Sequence, residues 1–395
     1  MNAQAKTVDW KDEERQSLLP GYPQFPFVIA RGKGPWVWDT DGRRYLDLYG
    51  GHAVSLLGHC PNAVVEAIRR QAGELLFYST LACHPSRSRA AKALIALCGE
   101  AGSRVFFCNS GAEANENAMR TARLATGRKK IVSTEGSFHG RTSGALAATG
   151  IARYRQGVAG LGTDVEFSAF NDLESAKAMI GPETAGFIVE PVQGLAGALP
   201  PAPGYLAGLK QLCRDAGALL IFDEVQTGLG RLGAPSAAHA FGVEPDLQTF
   251  AKGLGSGVPC AALLARPRAA SAVRPGDLGS TFGGGPLACA AIEATLAEIS
   301  AGRLWENAAC IERLIRAEFR FPGVLSVQGR GLLLGLVLDR PAKPVQQALI
   351  ERSILTGTAE DPRVLRLLPP LTIGESEVHL LRTELIEILL MQAAP

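Results

Sequence analysis

The stretch RVFFCNSGAEANENAMRTARLATG, Arg104 to Gly127, decides the fold. Five residues suited to a buried strand run into Asn109-Ser110-Gly111, a turn. Beyond it Ala114, Ala118, Ala122 and Ala125 recur at helical spacing. Glu113, three residues after Ser110, makes a capping box with it. The same turn puts a hydroxyl, a glycine and free backbone N–H groups at a helix N-terminus, which is also a phosphate cradle. Taken alone, it says no more than a serine N-cap.

The pattern repeats outward. KIVS (130–133), GFIVE (186–190), ALLIF (218–222) and LQTFA (247–251) read as buried strands. PGYLAGLKQLCRDAG (203–217) reads as a helix opening on proline and closing on glycine. This alternation predicts an α/β domain with a mostly parallel sheet and functional groups at the carboxyl ends of its strands. After FGGGPLACAAIEATLAEI (282–299) the character shifts. GLLLGLVLD, VLRLLPPL and a final amphipathic helix suggest a smaller α+β domain over 286–395, with the large domain spanning 59–285. Residues 1–58, with GPWVWDTDGRRYLDL as a hairpin, are expected to join the smaller one. A chain of 395 residues exceeds what one core comfortably serves.

Composition narrows the function. A net charge of +2 without basic runs gives no nucleic-acid footprint. No apolar run reaches the roughly 18–20 residues of a membrane span. The charged MNAQAKTVDWKDEERQ start has no signal-peptide core. Eight scattered cysteines without a CxxC pair suggest small buried hydrophobes, not a metal site or disulfides. The expectation is a soluble, cytoplasmic protein without metal.

Chemistry gathers at two strand ends. Asp223 closes the most apolar strand, and Lys252 follows LQTFA where the loop KGLGSG begins. One crossover separates them, so both can sit at one sheet edge beside the Ser110 cradle. A lysine, a carboxylate and a phosphate cradle at one edge suit pyridoxal 5'-phosphate: the amine bonds its aldehyde and the acid keeps its ring nitrogen protonated. A solvated lysine and a capping acid are respectable alternatives singly, and poor ones jointly. Gly228-Leu-Gly230-Arg-Leu-Gly233 is formally GxGxxG. A dinucleotide loop follows its strand directly, however, and five residues intervene here, two of them acidic. A nicotinamide oxidoreductase would rest on that match alone, and a non-enzymatic cofactor binder is the bland alternative.

YLDLYGGHAVSLLGHC, NSGAEANENAMRTAR, SFHGRTSGAL, IVEPVQG, FDEVQTGLGRLG, AKGLG, GSTFGGGPLACA and VLRLLPPL, in that order, resemble the class III aminotransferases. Among them the chain is most similar to acetylornithine aminotransferases of arginine biosynthesis. The resemblance implies the fold type I architecture, with a seven-stranded sheet in the large domain, and a homodimer with shared active sites. It implies transamination between an N-acylornithine and 2-oxoglutarate, giving N-acylglutamate semialdehyde and glutamate. Succinylornithine, ornithine or another ω-amino acid are alternative donors.

By the same resemblance Lys252 bonds the cofactor, with glycines letting backbone approach its ring, and Asp223 pairs with the ring nitrogen. Val225 and Phe138 cover the ring faces and Gln226 reaches the phenolic oxygen. Ser110, Gly111 and Ala112 hold the phosphate, with Thr281 from the neighbouring subunit. Arg141, with Ser280 nearby, takes one substrate carboxylate, and Arg366 takes the α-carboxylate of glutamate or 2-oxoglutarate. His52 and His139 read as structural. Three departures stand out: Leu195 where the family carries an acid that pairs with the Arg366 equivalent, Gly285 for the asparagine of GGNP, and GHCPN for GHCHP.

Overall fold

The computed structural model describes residues 9–391; the first eight residues, part of the charged start read above, and the last four lie outside the described part. Three sheets organise the chain. The hairpin expected near the start is present: β1 (Ile29–Lys33), β2 (Trp36–Asp39) and β3 (Arg44–Asp47) form an antiparallel meander.

Seven strands then build the large sheet: β4 (Arg104–Cys108), β5 (Lys130–Thr134), β6 (Val165–Ser168), β7 (Thr184–Val189), β8 (Leu219–Asp223), β9 (Leu247–Phe250) and β10 (Ala261–Ala265). Their order is β4-β10-β9-β8-β7-β5-β6. Every neighbouring pair is parallel except those that β10 makes with β4 and β9. Every residue of β7, β8, β9 and β10 is buried, as befits strands covered on both faces. Neither β6 nor β10 stood out in the sequence: AALLA has helical composition, and its strand state comes from the neighbours on either side.

The helix after β4, Gly111–Thr126, is capped as its sequence predicts. Ser110 and Glu113 exchange both capping-box bonds, and Gly127 closes the helix at φ 69°. The Tyr205–Ala216 helix differs slightly from expectation. Gly204, left-handed at φ 81°, is its N-cap, so Pro203 stands outside the first turn.

Toward the C-terminus come β11 (Val324–Arg330), β12 (Leu333–Leu338), β13 (Ile354–Leu355), β14 (Gly357–Thr358) and β15 (Val364–Leu367). Four of them form the sheet β11-β12-β15-β14, while β13 leaves it and pairs in parallel with β3. The opening segment and the C-terminal residues thus share a sheet. The final helix, Glu375–Met391, buries Val378, Leu381, Leu385, Ile388 and Leu389, one apolar face.

Candidate active site

The carboxyl ends of β4, β8 and β9 meet at a cavity of about 370 Å³. Of the residues singled out in the sequence, Ser110, Gly111, Ala112, Phe138, Asp223, Val225, Gln226 and Lys252 all line it. Lys252 follows β9 at φ 47°, a left-handed conformation that side chains other than glycine's seldom adopt. Burial pulls its ammonium down to about 8; Asp223 and Glu190 pull the other way, and Arg366 pushes further down. The glycines behind it do less for the cavity than expected. Added Cβ atoms at Gly253 and Gly255 would strike Leu56 and Cys260, so these two serve packing, and only Gly257 reaches the cavity wall.

Asp223, the last residue of β8, is almost fully buried. Its Oδ2 accepts from Asn115 Nδ2 at 2.7 Å and lies 2.7 Å from His139 Nδ1, while Oδ1 accepts from the Val225 N–H at 3.0 Å. Thr249 Oγ1 donates to Asn115 Oδ1 at 2.7 Å, which turns the amide nitrogen toward the acid. The neighbouring Glu224 points elsewhere: it caps the Ala237–Phe241 helix through the Ala237 N–H at 2.6 Å and takes Gln248 Nε2 at 2.7 Å.

A second acid, Glu190, reaches the cavity from the end of β7. It accepts from the Phe138 and Gly194 N–H groups at 2.8 and 3.2 Å. Burial, then the charge of Asp223, raises its carboxyl to about 7. Sequence reasoning quoted Glu190 within IVEPVQG and gave it no place in the site. An acid ending an otherwise apolar strand was the available signal, as it was for Asp223. Asn115 was missed as well.

At the β4 end the capping box and the cradle coexist. Glu113 Oε2 accepts from the Asn109 and Ser110 N–H groups at 2.7 and 2.9 Å, and Ser110 Oγ takes the Glu113 N–H at 3.2 Å. Gly111 and Ala112, in the first turn, have N–H groups beyond the reach of any intrahelical partner. A Cβ at Gly111 would come within 3.0 Å of both Val225 methyls. Gln226 presents a buried Oε1 without a hydrogen-bond partner among the described residues.

The other expected residues stand apart from this cavity. Arg141 is exposed, with Cζ 5.1 Å from the Tyr22 ring centroid and 4.9 Å from that of Tyr154. Arg366, on β15, is 2% exposed. It donates to the Thr358 and Gly194 carbonyls at 2.7 and 3.2 Å and to Tyr49 Oη at 3.0 Å. Ser280 makes no recorded bond to Arg141; its Oγ accepts from Asn109 Nδ2 at 3.0 Å in the same chain, and Thr281 beside it is exposed. His139 is buried against Asp223, whereas His52 is exposed and bonded to Tyr49. The Gly228–Gly233 loop supports no dinucleotide. Gly228 packs on the Phe250 ring and Gly230 on Leu371, and the buried Arg231 bonds the carbonyls of Leu332 and Pro369, so the loop ties the large sheet to the C-terminal part.

Residues 18–389 match the family model described as aminotransferase class-III. The acetylornithine aminotransferase of Archaeoglobus fulgidus is 42% identical over 94% of this chain and 98% of its own length. That of Streptomyces coelicolor is 44% identical over 91% and 89%. Among solved structures, an ornithine aminotransferase from Toxoplasma gondii with partial occupancy of pyridoxal phosphate at its active site superimposes with a TM-score of 0.90, at 32% identity over 97% of this chain and 94% of that one. The chain belongs to the class-III aminotransferases.

Proposed function

We propose that this class-III aminotransferase uses pyridoxal 5'-phosphate to move the terminal amino group of an N-acylornithine, N-acetylornithine foremost, to 2-oxoglutarate. The products are N-acylglutamate semialdehyde and glutamate, a step of arginine biosynthesis. One observation carries the reading: a single cavity unites a half-buried lysine amine, a buried carboxylate and a helix N-terminus bearing Gly111. The substrate follows the curated relatives, which are acetylornithine aminotransferases.

The residues fit the cofactor on two counts. The buried Gln226 amide, whose Oε1 lacks a partner among the described residues, would with the amide turned over donate its NH₂ to a ring oxygen, and the absent Cβ of Gly111 leaves room beside Val225. When bound, the cofactor supplies an aldehyde carbon to carry the amine and a pyridinium ring to take up the electron pair left by the departing proton. Asp223, its two oxygens held by Asn115, the Val225 N–H and His139, would face the ring nitrogen and hold the proton there. Ser110, Gly111 and Ala112 bind the phosphate; Phe138 and Val225 flank the ring. Lys252 Nζ, whose ammonium burial makes more acidic than an ordinary lysine's, would take the proton from the amine-bearing carbon. Arg141 and Arg366 orient the substrate carboxylates.

Two chains complete the site in this reading. Leu76, Phe77, Tyr78, Leu81 and Phe282 form an exposed apolar strip next to Thr281, with the Phe77 and Phe282 rings 5.2 Å apart, and they support a homodimer in which Thr281 serves the partner's phosphate. No helix among the described residues is long and apolar enough to cross a membrane, and we place the protein in the cytoplasm. The decisive test is a half-reaction screen of N-acetylornithine, N-succinylornithine, ornithine and 4-aminobutyrate, followed by the visible absorbance of the protein-bound cofactor. N-acetylornithine should react fastest; a faster reaction with another donor overturns the substrate assignment.

A further inference from the structure

Arg366 is a buried guanidinium whose hydrogen-bond partners are all neutral, and none of the ion pairs among the described residues includes it. Burying a cation without a counter-ion is costly, so the group is predisposed to take an anion. Two of its acceptors, the Thr358 and Gly194 carbonyls, belong to the backbone. The third, Tyr49 Oη, is a side-chain atom and can move away.

The Tyr49 ring is held by several devices. Asp47 Oδ1 takes the Tyr49 and Gly50 N–H groups at 2.9 and 2.8 Å. The chain then makes a left-handed turn over Gly50, Gly51, His52 and Ala53, with φ of 58, 55, 66 and 66°. For His52 and Ala53 that conformation is strained. It brings His52 Nδ1 to 2.9 Å from Tyr49 Oη. On the ring's other side, any Cβ at Gly357 would collide with it. Donor and acceptor roles follow. A guanidinium only donates, so Tyr49 Oη accepts from Arg366 and keeps its single proton to donate to His52 Nδ1 when that nitrogen is the bare one of a neutral imidazole. Partial desolvation by its neighbours, then the positive charges of Lys252, Arg366 and Arg141, lowers the pKa of the half-covered His52 below its ordinary value and favours the neutral ring, against an opposing effect from Asp47.

We propose that the Tyr49 phenol, oriented by His52, is a displaceable neutral cap on Arg366, and that the two residues set how readily the site admits a dicarboxylate. The α-carboxylate of glutamate or 2-oxoglutarate replaces the phenol on Nη2, exchanging a neutral acceptor for a charged one. A donor reacting through its terminal amine brings no carboxylate to that place, and the cap stays on. Tyr49 and His52 are positioning residues; neither touches the reacting atoms. The inference rests on the reading of function above.

Tyr49→Phe keeps the ring and removes the cap. In the cofactor-loaded enzyme the glutamate KM should fall about 2–10-fold, the net worth of one typical hydrogen bond. The ratio of glutamate to N-acetylornithine kcat/KM should rise with it. Calorimetry should find the same gain in affinity for glutarate, an unreactive dicarboxylate. His52→Leu, which frees the phenol, should shift both measures the same way by less, and His52→Gln, which restores an acceptor, should return them toward wild type. An unchanged glutarate affinity in Tyr49→Phe, or equal losses with both amino donors, overturns the cap. A wild-type enzyme inert to glutamate overturns both the cap and the functional reading, whereas wild-type turnover with an unshifted ratio overturns the cap alone.

Discussion

The two ends of the site are built differently. The floor under Lys252, Asp223 and Ser110 stands on the ends of three strands of one buried sheet, and the Asp223 and Ser110 side chains are fixed by bonds to neighbouring side chains or adjacent backbone. The end proposed for the substrate carboxylates is drawn from residues far apart in the chain: Arg141 against the Tyr22 and Tyr154 rings, and Arg366 bonded to Tyr49. A buried sheet edge fixes geometry before any ligand arrives, which is what proton transfer requires. Loops and partly exposed aromatics adapt, which is what two substrates of different length require. Damage to the floor should therefore abolish chemistry with every substrate, and damage to the other end should separate the substrates.

The largest expected effect is at Lys252. Borohydride treatment of the loaded protein should fix the cofactor covalently on this residue, and Lys252→Ala should bind the cofactor through the Ser110 turn without turning over. Mass spectrometry of the labelled peptide decides; label on any other lysine breaks the assignment of the floor.

Next comes Asp223→Asn. The neutral amide no longer holds a proton on the ring nitrogen, and each pKa unit lost there corresponds to about 1.4 kcal/mol. A change of several units slows proton removal by orders of magnitude with both substrates alike, while cofactor remains bound. Near-normal single-turnover rates in this variant would remove the mechanism.

Smaller, and selective, are the effects at the other end. Arg366→Lys loses the planar fork that bonds two carbonyls and a phenol. The glutamate half-reaction should fall by about tenfold to a hundredfold, as expected for one charge-assisted bond, and the N-acetylornithine half-reaction much less. Arg141→Lys should damage both, since in the proposed reading both substrates place a distal carboxylate there. Leu195→Glu, which sets an acid next to the Gly194 carbonyl that Arg366 bonds, should slow glutamate relative to N-acetylornithine. Equal impairment of both substrates by Arg366→Lys would erase the contrast between the two ends.

The same contrast explains what the sequence disclosed. Ser110, Asp223 and Lys252 each follow a strand visible as an apolar run, so topology alone carries them to one edge. Glu190 occupies the same kind of position, yet an acid after GFIV looks like a strand terminus until the Phe138 and Gly194 N–H groups are seen to converge on it. The capping box and the cradle were posed as alternatives; they are compatible because Ser110 and Glu113 use other donors than Gly111 and Ala112. His52 reads as a structural residue in the sequence, where nothing local announces a left-handed turn in GGHA. That conformation is imposed by Asp47 and by the packing of Gly50 under the Leu368 carbonyl, contacts distant in sequence or invisible to periodicity. The resemblance places Ser280 near Arg141, and the path of its loop also lets it accept from Asn109.

The mildest test reads the floor through pH. Lys252 in the cofactor-free protein has its pKa lowered from 10.5 to about 8, chiefly by burial. Only the neutral amine attacks an aldehyde, so cofactor loading should accelerate nearly tenfold per pH unit up to about 8 and level off above it. An ordinary lysine would go on accelerating to about 10.4. Stability should follow the same group. Between pH 8 and 10.5 the unfolded chain holds the lysine proton and the folded chain does not, so the cofactor-free protein gains stability as pH rises through that window. Below pH 8 both states are protonated, and the cost of burying the charge is fully present. Lys252→Met removes the titrating group at similar length and should flatten this contribution. Stopped-flow loading rates and denaturant midpoints between pH 6 and 10 give both curves; a loading rate still climbing at pH 10, with no difference in stability slope between wild type and Lys252→Met, would mean that the floor leaves its lysine as basic as one in water.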